Sequence, residues 1–157
     1  KMMKTRTKFK VQTPIPPFDR ALKYLSLRQR SIKEINDYLT RKGYLEEDVN
    51  EAIARLVELK FLNDDDFARS FAENRQRKGK SKRAIAFELK LKGVNRKVTE
   101  DVLEYSKSDF KTAFEYISKR LKQFERFEPE EKQKKIIGRL RSRGYDWEVI
   151  SKVLKKL

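Results

Sequence analysis

The sequence contains no histidine and no cysteine. Without imidazole it lacks the commonest general acid or base, the commonest metal ligand and every Ser-His triad. Without thiols it has no disulfide framework, thiolate nucleophile or thiolate metal site, which fits a reducing compartment. Glycine and proline are scarce, at five and four residues of 157. No glycine-rich phosphate loop occurs, since Lys78-Gly79-Lys80-Ser81 ends like one but lacks the upstream glycine such a loop needs. No apolar run approaches the roughly 18 to 20 residues that span a bilayer, and the start carries no apolar stretch of the secretory type. This inventory predicts no catalytic residue, metal or cofactor, no membrane partner, and a cytoplasmic location. The chain begins at Lys1 rather than Met, which fits a fragment with native residues upstream.

What the chain has in excess is positive charge. Forty Lys and Arg stand against 24 Asp and Glu, a formal charge of +16. A field of that size favours polyanions, because each cation seated on a phosphate releases condensed counterions. A solvated surface of the heat-adapted kind accounts for many charges but not for a one-sided excess. Only 38% of residues are hydrophobic, yet ten Phe, six Tyr and one Trp supply large apolar groups. That combination argues for thin, aromatic-rich folded layers rather than disorder. The length suits either one domain or a string of small units sharing surfaces.

Self-similarity decides between these. Gly43, Gly93 and Gly144 recur in matching surroundings. Leu39, Leu89 and Leu140 stand four residues before them, and Ile35, Ile85 and Ile136 eight before. An i, i+4 apolar pair stacks on one helical face, so a helix precedes each glycine. With the glycine in the left-handed position past the helix end, the next residue folds back, which predicts contacts of Tyr44 with Leu39, Val94 with Leu89 and Tyr145 with Leu140. A second apolar helix follows each turn, through Ile53, Leu103 and Leu154. Upstream helices are predicted at about Asp19 to Leu27, Asp65 to Arg77 and Asp109 to Phe124. Ser31 with Glu34 has the form of a capping box, while Ser81, Pro129 and Asp146 mark further helix starts. The expectation is an all-α elongated array of three tandem three-helix repeats, at 18–62, 63–107 and 108–157. Before it, residues 1–17 form a basic extended arm, in which Thr5, Thr7, Phe9, Val11 and Thr13 alternate with polar residues like a half-buried strand.

Two acid-free basic clusters stand out. One runs from Arg75 through Arg77, Lys78, Lys80 and Lys82 to Arg83, the other from Lys132 through Lys134, Lys135, Arg139 and Arg141 to Arg143. Arg28 and Arg30 precede Ser31 at the equivalent junction of the first repeat. Stacked repeats can line such sites along one side and follow a phosphate backbone. Lys42, Lys92 and Arg143 follow helix ends, where a cation offsets the carbonyl dipole. Asn63-Asp64-Asp65-Asp66 could hold Mg²⁺ as in a nuclease, but acids at a helix start also cap orphan N–H groups, the favoured reading. Phe61, Phe67, Phe71, Phe114 and Trp147 at helical spacing read as core rather than as base-stacking platforms.

These residues resemble the RecX family of regulatory proteins over about residues 18–157. The first repeat is similar through Ala21-Leu22-Lys23-Tyr24-Leu25, Arg30 to Ile35 and Lys42-Gly43, and the central stretch through Phe61 to Ala68, Arg77-Lys78-Gly79, Glu88-Leu89 and Lys92-Gly93-Val94. The third repeat matches through Lys132, Lys135-Ile136, Leu140 and Arg143-Gly144-Tyr145. Lys60 stands where the family has glycine and Asn63 where it has an acid, which bears on the geometry of that turn. The resemblance implies a monomeric regulator of recombination and DNA repair that binds RecA and its filament on single-stranded DNA, and also double-stranded DNA, restraining ATP hydrolysis and strand exchange. From charge and position, Arg28, Arg30, Arg75, Arg77, Lys78, Lys80, Lys82, Arg83, Lys135, Arg139 and Arg141 are the candidates for the DNA or filament face. The alternative is a tandem helix-turn-helix protein that binds duplex DNA without a recombinase.

Overall fold

A computed structural model describes residues 15–157. The strand pattern at Thr5 to Thr13 lies outside the described residues. Helices fall in three groups: α1 (Pro17–Leu25), α2 (Ile32–Arg41) and α3 (Glu46–Glu58); α4 (Asp64–Arg77), α5 (Lys82–Leu91) and α6 (Arg96–Glu104); α7 (Asp109–Ser118), α8 (Pro129–Arg141) and α9 (Trp147–Lys156). Each group closes on its own apolar cluster. Ile35 and Leu39 meet Val49 and Leu56 in the first, Ile85 and Leu89 meet Phe67 and Ala68 in the second, and Ile136 and Leu140 meet Ile117, Ile150 and Val153 in the third. The fold is all-helical among the described residues, with the three-helix unit repeated three times.

Local chemistry explains where the helices begin and end. Ser31 and Glu34 form the full capping box, each side chain taking the other's backbone N–H. Ser81 caps α5 through the Ala84 N–H, Asp146 caps α9 through the Val149 N–H, and Pro129 occupies the first turn of α8. The N–H of Tyr44, Val94 and Tyr145 donates to the carbonyl of Leu39, Leu89 and Leu140, at 3.4, 3.1 and 3.3 Å. These are the return bonds that the glycine spacing predicts, and Gly43, Gly93 and Gly144 adopt φ of 90°, 75° and 93° to make them. Pro17, placed with the arm on sequence grounds, opens α1, where its fixed φ suits a first helical position.

Two expectations need correction. The helix read from Asp109 to Phe124 stops at Ser118, and a short 3-10 helix (Leu121–Phe124) follows. Arg120 ends it by turning its guanidinium back onto the Tyr116 carbonyl at 3.1 Å, and the bend buries Phe124 against the third core. Of the aromatics read as core, Phe67 is buried and Phe71 and Phe114 pack against the cores, but Phe61 and Trp147 are 55% and 56% exposed. Phe61 follows Lys60, whose φ of 62° swings the chain outward. Trp147 is the first residue of α9, one turn ahead of the buried Ile150, and stays largely exposed there.

Neighbouring repeats join through their middle helices, end to end. The Ser31 hydroxyl donates to the Lys92 carbonyl at 2.6 Å, tying the end of α5 to the start of α2. The Ser81 N–H donates to the Arg143 carbonyl at 3.0 Å, tying the end of α8 to the start of α5. Carbonyl end thus meets amide end twice, with the helix dipoles head to tail. An acid from the following repeat completes each joint: Asp64 accepts from the Ile32 N–H at 2.9 Å and Asp109 from the Lys82 N–H at 2.8 Å.

Candidate functional site

The end-to-end joints bring basic residues from different repeats onto common clefts. One cleft holds Arg28, Arg30, Lys33, Arg41 and Lys92 around Glu34 and Asp37. The next shares Arg28 and Lys92 with it and adds Arg75 beside Phe67, Phe71 and Asn74. Arg75 in turn lines a third cleft of about 420 Å³ with Lys78, Lys80, Arg120, Arg143 and the single acid Glu88. Arg120 then enters a fourth with Arg77, Lys107 and Lys119. Successive clefts share a cation, so the charge forms one connected band across all three repeats.

Within the band the predicted residues fare differently. Arg28 is exposed and pairs with Glu34 at 2.7 Å. Arg30 is half-buried with its guanidinium 3.8 Å from the Tyr24 ring centre and its Nε unpartnered. Arg75 donates to Glu88 at 2.6 Å, Lys80 approaches the same carboxylate at 3.8 Å, and Lys78 is exposed. Arg77 is exposed at the rim of the fourth cleft. Lys82 points elsewhere, since its ammonium donates to the Leu103 carbonyl at 2.6 Å and holds the end of α6. Arg83 lies exposed on the first turn of α5. Lys135 pairs with Glu131 at 3.6 Å along α8, and Arg139 and Arg141 are exposed on its last turn. None of these three lines the four clefts.

Two residues absent from the predicted set, Arg120 and Arg143, sit where the third cleft is deepest in charge. Both guanidiniums lie against Tyr116, at 4.0 and 4.2 Å from its ring centre. Arg143 also donates to the Lys78 carbonyl. Gly79 makes the arrangement feasible, because a Cβ there would lie 2.3 Å from the Tyr116 ring. The repeat register signals Arg143, which stands at the position of Lys92. Arg120 carries no such signal.

The acidic turn is occupied by capping. Asn63 Oδ1 accepts from the Asp65 and Asp66 N–H groups, and Asp64 serves Ile32 of the preceding repeat. Burial raises the Asp64 carboxyl, although the Ile32 hydrogen bond opposes the shift. Among the described residues no helix is long and apolar enough to cross a membrane.

Three-helix units joined end to end, with a band of basic clefts crossing their joints, define a helical-repeat protein. Family models for the first, second and third three-helix domains of RecX match residues 18–56, 63–103 and 107–154. The chain belongs to the RecX family of regulatory proteins, which is not a known enzyme family. It is 33% identical to regulatory protein RecX of Bacillus licheniformis over 142 residues, covering 88% of this chain and 54% of that protein. It is 32% identical to regulatory protein RecX of Prosthecochloris aestuarii, covering 88% of this chain and 91% of that one. The chain thus spans about half the length of the Bacillus relatives it matches. The crystal structure of RecX from Lactobacillus salivarius superposes with a TM-score of 0.73 at 26% identity, over 90% of this chain and 94% of that one.

Proposed function

We propose that this chain regulates homologous recombination by binding the RecA filament on single-stranded DNA and restraining its ATP hydrolysis and strand exchange. The supporting observation is the band of clefts linked through Arg28, Lys92, Arg75 and Arg120 across all three repeats. A ligand that matches it is long, repetitive and negatively charged, as a phosphate backbone held in a protein filament is. Acting as a monomer in the cytoplasm, the array lies along the filament and touches DNA phosphates and recombinase subunits together. That placement blocks subunit addition or promotes release, and needs no chemistry from the chain itself.

The test is ATP hydrolysis by the cognate RecA on single-stranded DNA, with this protein titrated in at fixed salt. Hydrolysis is expected to fall at well below one molecule per recombinase. Unchanged hydrolysis and strand exchange with DNA binding intact would instead identify a DNA-binding module that works without a recombinase.

A further inference from the structure

The two joints between repeats are built alike but charged differently. At the first, Lys92 meets Glu34 at 2.8 Å and Arg28 meets the same carboxylate at 2.7 Å. At the second, the repeat register puts Arg143 in the place of Lys92 and Ala84 in the place of Glu34. Position 84 does face that turn, since a Cβ on Gly144 would lie 2.9 Å from the Ala84 Cβ. The cation is present and its carboxylate is not. Arg143 Nε is buried without a partner, and Arg120 crowds it across the Tyr116 ring. The one acid lining the cleft, Glu88, is already engaged by Arg75 at 2.6 Å.

Two guanidiniums and two ammoniums converging on a half-enclosed cleft repel one another more strongly than they would in bulk water. An oxyanion placed among them relieves that repulsion, as Glu34 does at the first joint. We infer that the joint between the second and third repeats is an oxyanion seat that takes one phosphate group of a nucleic-acid backbone, held by Arg143, Arg120, Lys78 and Lys80. Guanidinium groups present paired N–H donors that match phosphate oxygens, while the lysines act as point charges. The choice of phosphate rests on the reading of the basic band as a phosphate track. Within that track this seat fixes the register, because at the matching first joint Glu34 already supplies the counter-charge.

The seat is tested by titrating the full chain with inorganic phosphate at constant ionic strength, following the Arg143 Nε–H signal by NMR. A saturable shift is expected. Ala84→Glu supplies the missing carboxylate and should weaken phosphate binding about tenfold or more. Ala84→Gln, equal in size but neutral, should leave it within about twofold. Equal loss in both variants, or no saturable shift in the parent, overturns the seat. A single-stranded oligodeoxynucleotide should move the same signal, and failure to do so while inorganic phosphate saturates it overturns the nucleic-acid source. Recombinase hydrolysis with the same variants separates the two readings. An unmoved Arg143 signal alongside intact restraint refutes the seat alone, whereas a saturating seat without restraint refutes the filament reading and supports the seat.

Discussion

Glu34 carries more of the first joint than any other single side chain. It accepts from Arg28, Lys92 and the Ser31 N–H, linking three segments through one carboxylate. Burial pushes its pKa up, but the hydrogen bonds from Arg28, Lys92 and Ser31 outweigh it and hold the group down to about 2. A lowered carboxyl contributes stability that is complete above its unfolded value of 4.5 and is lost as pH falls toward about 2. Discounted for solvent screening, the contribution is about 1 to 2 kcal/mol. Glu34→Gln should therefore lower the unfolding free energy near pH 7 by that amount, read as a lower urea midpoint, and the gap from the parent should close as the pH is brought toward 2. Lys60 teaches a different lesson. It adopts a left-handed φ of 62°, a region glycine enters without steric cost, so here a β-carbon-bearing residue makes the turn.

Among the elements, the start of each of the first two middle helices is finished by the repeat that follows it. Ile32 and Lys82 head α2 and α5, and Asp64 and Asp109 supply acceptors for their N–H groups. Asp109→Ala should cost about 1 kcal/mol, as loss of a helix cap does. Hydrogen exchange at the Lys82 amide should rise with it, and unchanged exchange would remove Asp109 from the cap. The helices themselves were legible because glycine turns, capping boxes and i, i+4 apolar pairs are local signals, complete within a dozen residues. The break after Ser118 was not, because Leu121 and Phe124 continue the helical spacing of Phe114 and Ile117. The bend there buries Phe124 in the third core, a contact that exists only in the folded chain. For the same reason Arg120 escaped notice and Arg143 was read at a helix end rather than beside Arg75, since the cleft they share exists only once the second and third repeats are joined.

At the scale of the whole molecule, the band is the property that charge composition foretold and tertiary structure arranged. A +16 chain favours polyanions, but composition cannot say that Lys82 is spent on the Leu103 carbonyl while Lys78 and Lys80 face a common cleft. Replacing Arg75, Lys78 and Lys80 together with Ala should flatten the salt dependence of single-strand binding by about 0.7 log units for each lost phosphate contact. A slope equal to the parent's would take that cleft out of the interface.

The direction of the joints matters during synthesis. A ribosome releases the first repeat before the second, and the second before the third. The amides of Ile32 and Lys82 wait for Asp64 and Asp109, which emerge about 30 residues later in each case. Each unit on the nascent chain is therefore latched by the one translated after it, and a translational pause between repeats leaves the earlier one open until the next arrives.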